Sequence, residues 1–99
     1  MATITETDLS DLRLLSRGKV RDIYEHEHNL LIVTTDRISA FDVVLPTPIP
    51  NKGRVLNQLS AFWFGLTRSI VENHLISTDV NEMGLPANVE LDGLEGRSM

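Results

Sequence analysis

The sequence predicts an α+β fold in which a small N-terminal antiparallel sheet is covered by one amphipathic helix. Two short β-like runs, 12–17 and 19–25, flank Gly18, and a continuous apolar run, Leu30-Leu31-Ile32-Val33-Thr34, follows the polar turn His26-Glu27-His28-Asn29. The stretch Pro46-Thr47-Pro48-Ile49-Pro50 then forms an extended connector, because proline lacks an amide donor and restricts the residue before it. Beyond it Val55, Leu56, Leu59, Phe62, Trp63, Leu66 and Ile70 fall on one stripe at helical spacing.

Each element has a local reason. Asp8-Leu9-Ser10-Asp11 reads as a turn or a short helix start. Gly18 is expected to supply the left-handed backbone angles of a tight hairpin. The unbroken apolar character of 30–34 fits a strand covered on both faces. Asn51 or Gly53 opens the helix. Burial of its stripe is expected to dominate stability, at about 1.5–3 kcal/mol for each large side chain, with Trp63 in the core. Phe64 lies off the stripe, as a second contact surface or an exposed ring that expects a partner. After Ile76 the pattern fades: 81–86 is loop-like and 91–99 has no period, so no final element is expected to pack back on the sheet.

The 99 residues suffice for one domain. Hydrophobic content of 41% and charged content of 23% are those of a globular chain. A net charge of -5 argues against a nucleic-acid partner, which would want a basic face, but leaves room for a local cationic pocket. The absence of cysteine excludes disulfides and thiolate chemistry. The acidic N-terminus lacks the basic start and apolar core of a signal peptide, and no apolar run reaches membrane-spanning length, so the expected placement is cytoplasmic with no membrane partner.

Two clusters carry chemistry. In Arg17-Gly18-Lys19-Val20-Arg21-Asp22, a strand from Lys19 would place Lys19, Arg21 and Ile23 on one face, with alternate residues roughly 6.5–7 Å apart. Two cations so spaced can grip a di- or triphosphate, and Ile23 could cover a base ring. The competing reading is a solvated cationic strand face; no Walker A pattern is present. Asp36, Ser39 and Asp42 follow the apolar strand at intervals of three, a spacing that in a helical turn gathers side chains on one side. They could bind sugar hydroxyls or an amine, or pair with Arg37; ordinary turn chemistry is the alternative. Phe41 reads as a core anchor, His26 and His28 as solvated turn residues, and His74 as a residue complementing the end of the helix.

Taken jointly, these segments resemble the phosphoribosylaminoimidazole-succinocarboxamide synthase (SAICAR synthetase) family. Arg17-Gly18-Lys19-Val20-Arg21-Asp22-Ile23-Tyr24 is similar to its glycine-containing nucleotide loop, and Thr35-Asp36-Arg37-Ile38-Ser39-Ala40-Phe41-Asp42 to its next signature. Pro48-Ile49-Pro50-Asn51-Lys52-Gly53, Leu59-Ser60-Ala61-Phe62-Trp63-Phe64 and Glu95-Gly96-Arg97-Ser98-Met99 continue the likeness. The resemblance implies a SAICAR-synthetase-like fold, with a nucleotide-binding subdomain over about 12–77, the start of the following region at 78–99, and truncation before a larger C-terminal domain. It implies an ATP- and magnesium-dependent ligase of purine synthesis that joins L-aspartate to carboxyaminoimidazole ribonucleotide, giving SAICAR, ADP and phosphate. By resemblance Arg17, Gly18, Lys19, Val20 and Arg21 surround the ATP phosphates; Ile23 against adenine follows from strand alternation alone. Asp36, Ser39 and Asp42 would lie at or near the ribonucleotide pocket, with Lys52 a candidate for the same cleft. The magnesium ligands are expected downstream of Met99, and the chain by itself is expected to be inactive. A free-standing nucleotide-binding or regulatory module, and a small interaction domain, are the alternatives.

Overall fold

A computed structural model of the chain describes residues 3–9, 12–40, 43–86, 91 and 93–99. Strands β1 (Arg13–Arg17), β2 (Arg21–His26) and β3 (Asn29–Thr34) form an antiparallel sheet in the order β1-β2-β3, as the sequence predicts. The β2–β3 ladder runs from Arg21↔Thr34 to His26↔Asn29, and Glu27 turns the chain at a left-handed φ of 56°. The β1–β2 ladder is irregular between Leu14 and Ser16. A short ribbon pairs β4 (Ser39–Ala40) with β5 (Val43–Val44). Helix α1 spans Lys52–Thr67, and a single 3-10 turn covers Val80–Glu82.

Alternation along the strands divides the sheet into two faces. On one, Tyr24, Leu31 and Val33 form the core with Val80 and Leu94, and Leu9, Leu12, Met83, Leu85 and Leu91 pack around it. Arg21 and Ile23 belong to the other face, across from Thr34 and Ile32. Among the described residues no helix is long and apolar enough to cross a membrane.

The C-terminal segment does pack back, contrary to the sequence expectation. Ser98 bridges antiparallel to Val33, Ile32 and Met99 exchange hydrogen bonds of 2.9 and 3.0 Å, and the Thr34 amide donates to Arg97 O at 2.8 Å. Gly96, at φ 78°, bends the chain into this register. The segment has no hydrophobic period because it is held mainly by backbone pairing and by two buried polar residues, Arg97 and Ser98.

The helix begins where expected, just after Asn51, but its apolar stripe is not the face that packs. Val55, Leu59, Phe62, Trp63, Leu66 and Ile70 are between 51% and 81% exposed, so Trp63 is no core residue. The buried positions of α1 are Gly53 and Asn57. The helix is fastened through its first turns, where close backbone approach and hydrogen bonds replace side-chain burial. Asn57 Nδ2 donates to Gly96 O and Ser98 O, and Arg54 Nε donates to Glu95 O. Off-stripe Phe64 is half-buried, edge-on to the His74 ring with centroids 5.3 Å apart.

A candidate anion-binding site at the β1–β2 loop

The loop 18–21 is held by the segment that follows β3. β3 is exposed at Asn29 and Leu30, against the expectation of a strand covered on both faces, but its C-terminal end is buried and leads into Thr35 and Arg37, which lie beneath the loop. Thr35 donates to Val20 O from its amide at 2.9 Å and from Oγ1 at 2.7 Å. Arg37 donates from Nε to Lys19 O at 3.2 Å and from Nη2 to Gly18 O at 3.0 Å, with a longer contact of 3.4 Å to Arg21 O. Its Nη1 reaches Thr5 O at 2.6 Å. Its charge is met by fully buried Asp22, whose Oδ1 lies 3.0 Å from Nη2. Asp22 Oδ2 accepts from the amide and hydroxyl of Thr7. Burial pushes the Asp22 carboxyl up, but the Thr7 hydrogen bonds and Arg37 outweigh it and hold the group below the usual carboxylate range.

A second buried pair sits where α1 starts. Asp36 Oδ1 accepts from Arg97 Nη1 at 2.8 Å and from the Gly53 amide at 2.9 Å, while Oδ2 accepts from the Ile4 amide at 2.8 Å. Burial raises the Asp36 carboxyl, but the bonds from Arg97, Ile4 and Gly53 hold it below its ordinary value. A Cβ on Gly53 would lie 2.0 Å from Thr34 O, so only glycine fits there. Arg97 Nε and Nη2 and Asn57 Oδ1 are buried without a hydrogen-bond partner among the described residues.

The cationic residues divide between these pairs and the surface. Arg17 is committed to the protein: Nε lies 3.0 Å from Asp22 Oδ1, Nη2 donates to Thr7 O at 2.5 Å, and Nη1 is 3.9 Å from Glu6. Arg21 and Lys52 are different. Burial and then the Arg21 charge lower the Lys52 ammonium, with Asp36 opposing. Neither has an acidic side chain in ion-pair reach among the described residues.

The geometry corrects several sequence expectations. Strand β2 starts at Arg21, so Lys19 lies in the turn and strand alternation does not align it with Arg21; only Arg21 and Ile23 share a strand face. Gly18 is not in the left-handed region, and its turn closes by its own amide donating to Arg21 O at 2.8 Å. A Cβ there would meet only Arg21 O, at an ordinary 3.6 Å, so the protein's own packing does not demand glycine at 18. Asp36 is closed to solvent, and its carboxylate is filled by internal donors rather than turned toward a pocket. Ser39 is half-buried in β4; because the chain there is extended, an interval of three does not gather side chains as a helical turn would. Asp42 and Phe41 lie outside the described residues. His26, expected to be solvated, bonds Met83 O through Nε2 at 2.7 Å. With His28 and His74 it lines a separate cleft of about 450 Å³, and among the described residues no group of three or more His, Asp or Glu side chains could hold a metal. Sequence reasoning missed Thr35, Asp22 and Arg97. A charged residue directly after an apolar strand was the available signal for Asp36 and Arg37, and nothing local marked Arg97.

The whole arrangement is that of the SAICAR synthases. The SAICAR synthase of Saccharomyces cerevisiae, solved as a complex with SAICAR, superposes with a TM-score of 0.86 at 45% identity over 97% of this chain and 35% of its own. A second SAICAR synthase structure gives 0.84. The phosphoribosylaminoimidazole-succinocarboxamide synthase of Thermodesulfovibrio yellowstonii is 58% identical over 96 residues, 97% of this chain and 33% of that protein; the synthase of Desulfosudis oleivorans is 54% identical over the same length. A sequence model of SAICAR synthetase matches residues 14–99. The chain belongs to the SAICAR synthetase family, a family of ligases. It spans about a third of the length of the curated relatives it matches.

Proposed function

We propose that this chain provides the ATP-phosphate site of an ATP-dependent carbon–nitrogen ligase that joins L-aspartate to carboxyaminoimidazole ribonucleotide, giving SAICAR, ADP and phosphate. One observation carries the reading: Thr35 and Arg37 hold the carbonyls of the 18–21 loop from beneath, while Arg21 at its end is exposed with no acidic side chain in ion-pair reach among the described residues. An anionic phosphate chain laid along that loop would be held by charge-assisted hydrogen bonds from Arg21. Lys19 is assigned to the same anion from the loop, and Ile23, on the Arg21 face of β2, to the nucleotide base. Gly18 fits because a ligand can approach backbone that carries no side chain.

In this reaction the ribonucleotide carboxylate takes the γ-phosphoryl group of ATP as an acyl phosphate. The aspartate amine then attacks the carbonyl carbon and releases phosphate. The chain's own contribution is positioning and charge neutralisation, the main sources of rate in phosphoryl transfer. Ser39, Asp42 and Lys52 are assigned to the ribonucleotide side of the cleft, with Asp36 acting through the helix start it anchors. Magnesium does not fit Asp22 or Asp36, which are filled by arginine and amide donors; its ligands are assigned to the part of the relatives that this chain does not span. The 99 residues alone are expected to be inactive.

The test is a chimera in which this chain replaces the matching third of the Thermodesulfovibrio yellowstonii synthase. ATP-dependent SAICAR formation is expected, with Lys19→Ala and Arg21→Ala each raising the KM for ATP. A folded chimera in which neither substitution moves that KM rules out the phosphate role, and SAICAR formed by the 99 residues alone contradicts the expected inactivity.

A further inference from the structure

We propose that Arg37 is a positioning residue for the nucleotide: a buried latch that turns the 18–21 loop so that its amides face the phosphates. The inference rests on the phosphate reading above and deepens it. Four successive carbonyls, of Gly18, Lys19, Val20 and Arg21, all point at the Thr35–Arg37 segment, and Arg37 takes three of them. In a planar trans peptide the carbonyl of one residue and the amide N–H of the next point in opposite directions. All peptide bonds among the described residues are trans. Drawing the carbonyls of 18, 19 and 20 inward therefore turns the N–H groups of Lys19, Val20 and Arg21 away from Arg37. Consecutive amides turned to one side form an anion-binding concavity.

The chemistry of the latch suits that task. Guanidinium is planar, always charged, and presents several donors in a fixed fork, so one side chain can hold several carbonyls at once. Asp22 Oδ1, shared between Arg37 and Arg17 at 3.0 Å each, anchors the guanidinium from within, so the latch is held before any anion arrives. Arg37 is buried and contacts no phosphate itself; the amides it orients do so. Lysine at this position would keep the charge beside Asp22 but not the fork.

The chimera carrying Arg37→Gln or Arg37→Lys tests this. Both are expected to raise the KM for ATP, Arg37→Gln by about tenfold or more for the lost carbonyl bonds and Arg37→Lys by less, leaving the KM for L-aspartate unchanged. Added ATP should slow amide hydrogen exchange at 19–21 in the parent and much less in the Arg37 variants, while 29–34 stays protected in both. Replacing a residue that merely stabilises the fold would lower the melting temperature without selective change in loop protection by ATP or in ATP binding. If Arg37→Gln does not fold, Arg37→Lys decides alone. Unchanged loop protection by ATP and unchanged ATP KM in a folded Arg37 variant, with Lys19→Ala and Arg21→Ala still impaired, overturns the latch and leaves the phosphate reading standing. No slowing of loop exchange by ATP in the parent, with no effect of Lys19→Ala or Arg21→Ala on the ATP KM, overturns the phosphate reading, and the nucleotide role of Arg37 with it.

Discussion

Replacing Gly53 by alanine should destabilise this chain, although alanine is the better helix former. The added methyl would lie 2.0 Å from Thr34 O, 2.7 Å from Thr35 O and 2.8 Å from Arg97 Nη1. Two of these are backbone atoms of the segment that leaves β3, so no side-chain rotation relieves them. The start of α1 must retreat from the sheet by at least about 1 Å, an overpacking penalty of roughly 1–3 kcal/mol. That retreat stretches the 2.9 Å bond from the Gly53 amide to Asp36 and disturbs the 2.8 Å Arg97–Asp36 pair. Leaving one of those buried groups unsatisfied adds about 1–3 kcal/mol. The higher helix propensity of alanine returns about 1 kcal/mol. The net loss is about 1–5 kcal/mol, at its upper end a large part of the stability of a small domain. Gly65 provides the internal control. It lies in the same helix with nothing within 4 Å of its would-be Cβ, so Gly65→Ala should stabilise by about 0.5–1 kcal/mol. Urea melts of both variants, in the chain and in the chimera, followed by far-ultraviolet circular dichroism and Trp63 fluorescence, measure the two shifts. A Gly53→Ala protein within about 1 kcal/mol of its parent would refute the reasoning, because the close contact would then be too soft to matter.

Acid should destabilise the fold through two buried carboxylates. Asp22 and Asp36 are held below the ordinary carboxylate value, so the stability they contribute is complete above about pH 4 and is lost as the pH falls through their folded values. Denaturant melts from pH 6 downward should show this loss, and stability that is flat or rising on acidification would contradict it. Substitution along the exposed stripe should do little to folding: Phe62→Ser and Leu66→Ser are each expected to change stability by no more than about 0.5 kcal/mol while reducing self-association in light scattering. A loss of about 2 kcal/mol for either would mean that the stripe is buried in solution.

The three strands of the main sheet and the start of the helix were legible because each rests on neighbouring residues, whereas the β4–β5 ribbon was not foreseen. The polar turn at 26–29, the apolar run 30–34 and the prolines before Asn51 act within a few positions of the chain. The helical stripe was read correctly as a pattern and wrongly as a contact. Periodicity says which side chains share a face, while packing is decided by whatever lies opposite, and in this fold the helix is fastened through Gly53 and Asn57. The cationic loop was found, yet its aim was misjudged: alternation was extended to Lys19, which sits before the strand begins. Arg37 was read as a possible partner of the set Asp36, Ser39 and Asp42, but Asp36 pairs with Arg97 and Arg37 with Asp22, 61 and 15 residues away in sequence. No local pattern encodes such distances.

By itself, then, the order of residues determined the elements, the family likeness and the identity of the charged groups, since propensity, turn chemistry and motif spacing are properties of short stretches. Tertiary structure decided which charges are sealed in pairs and which face outward, because desolvation and pairing depend on atoms brought together from distant parts of the chain. That sorting turned Asp22, Asp36, Arg37 and Arg97 inward and left Arg21 exposed at the loop.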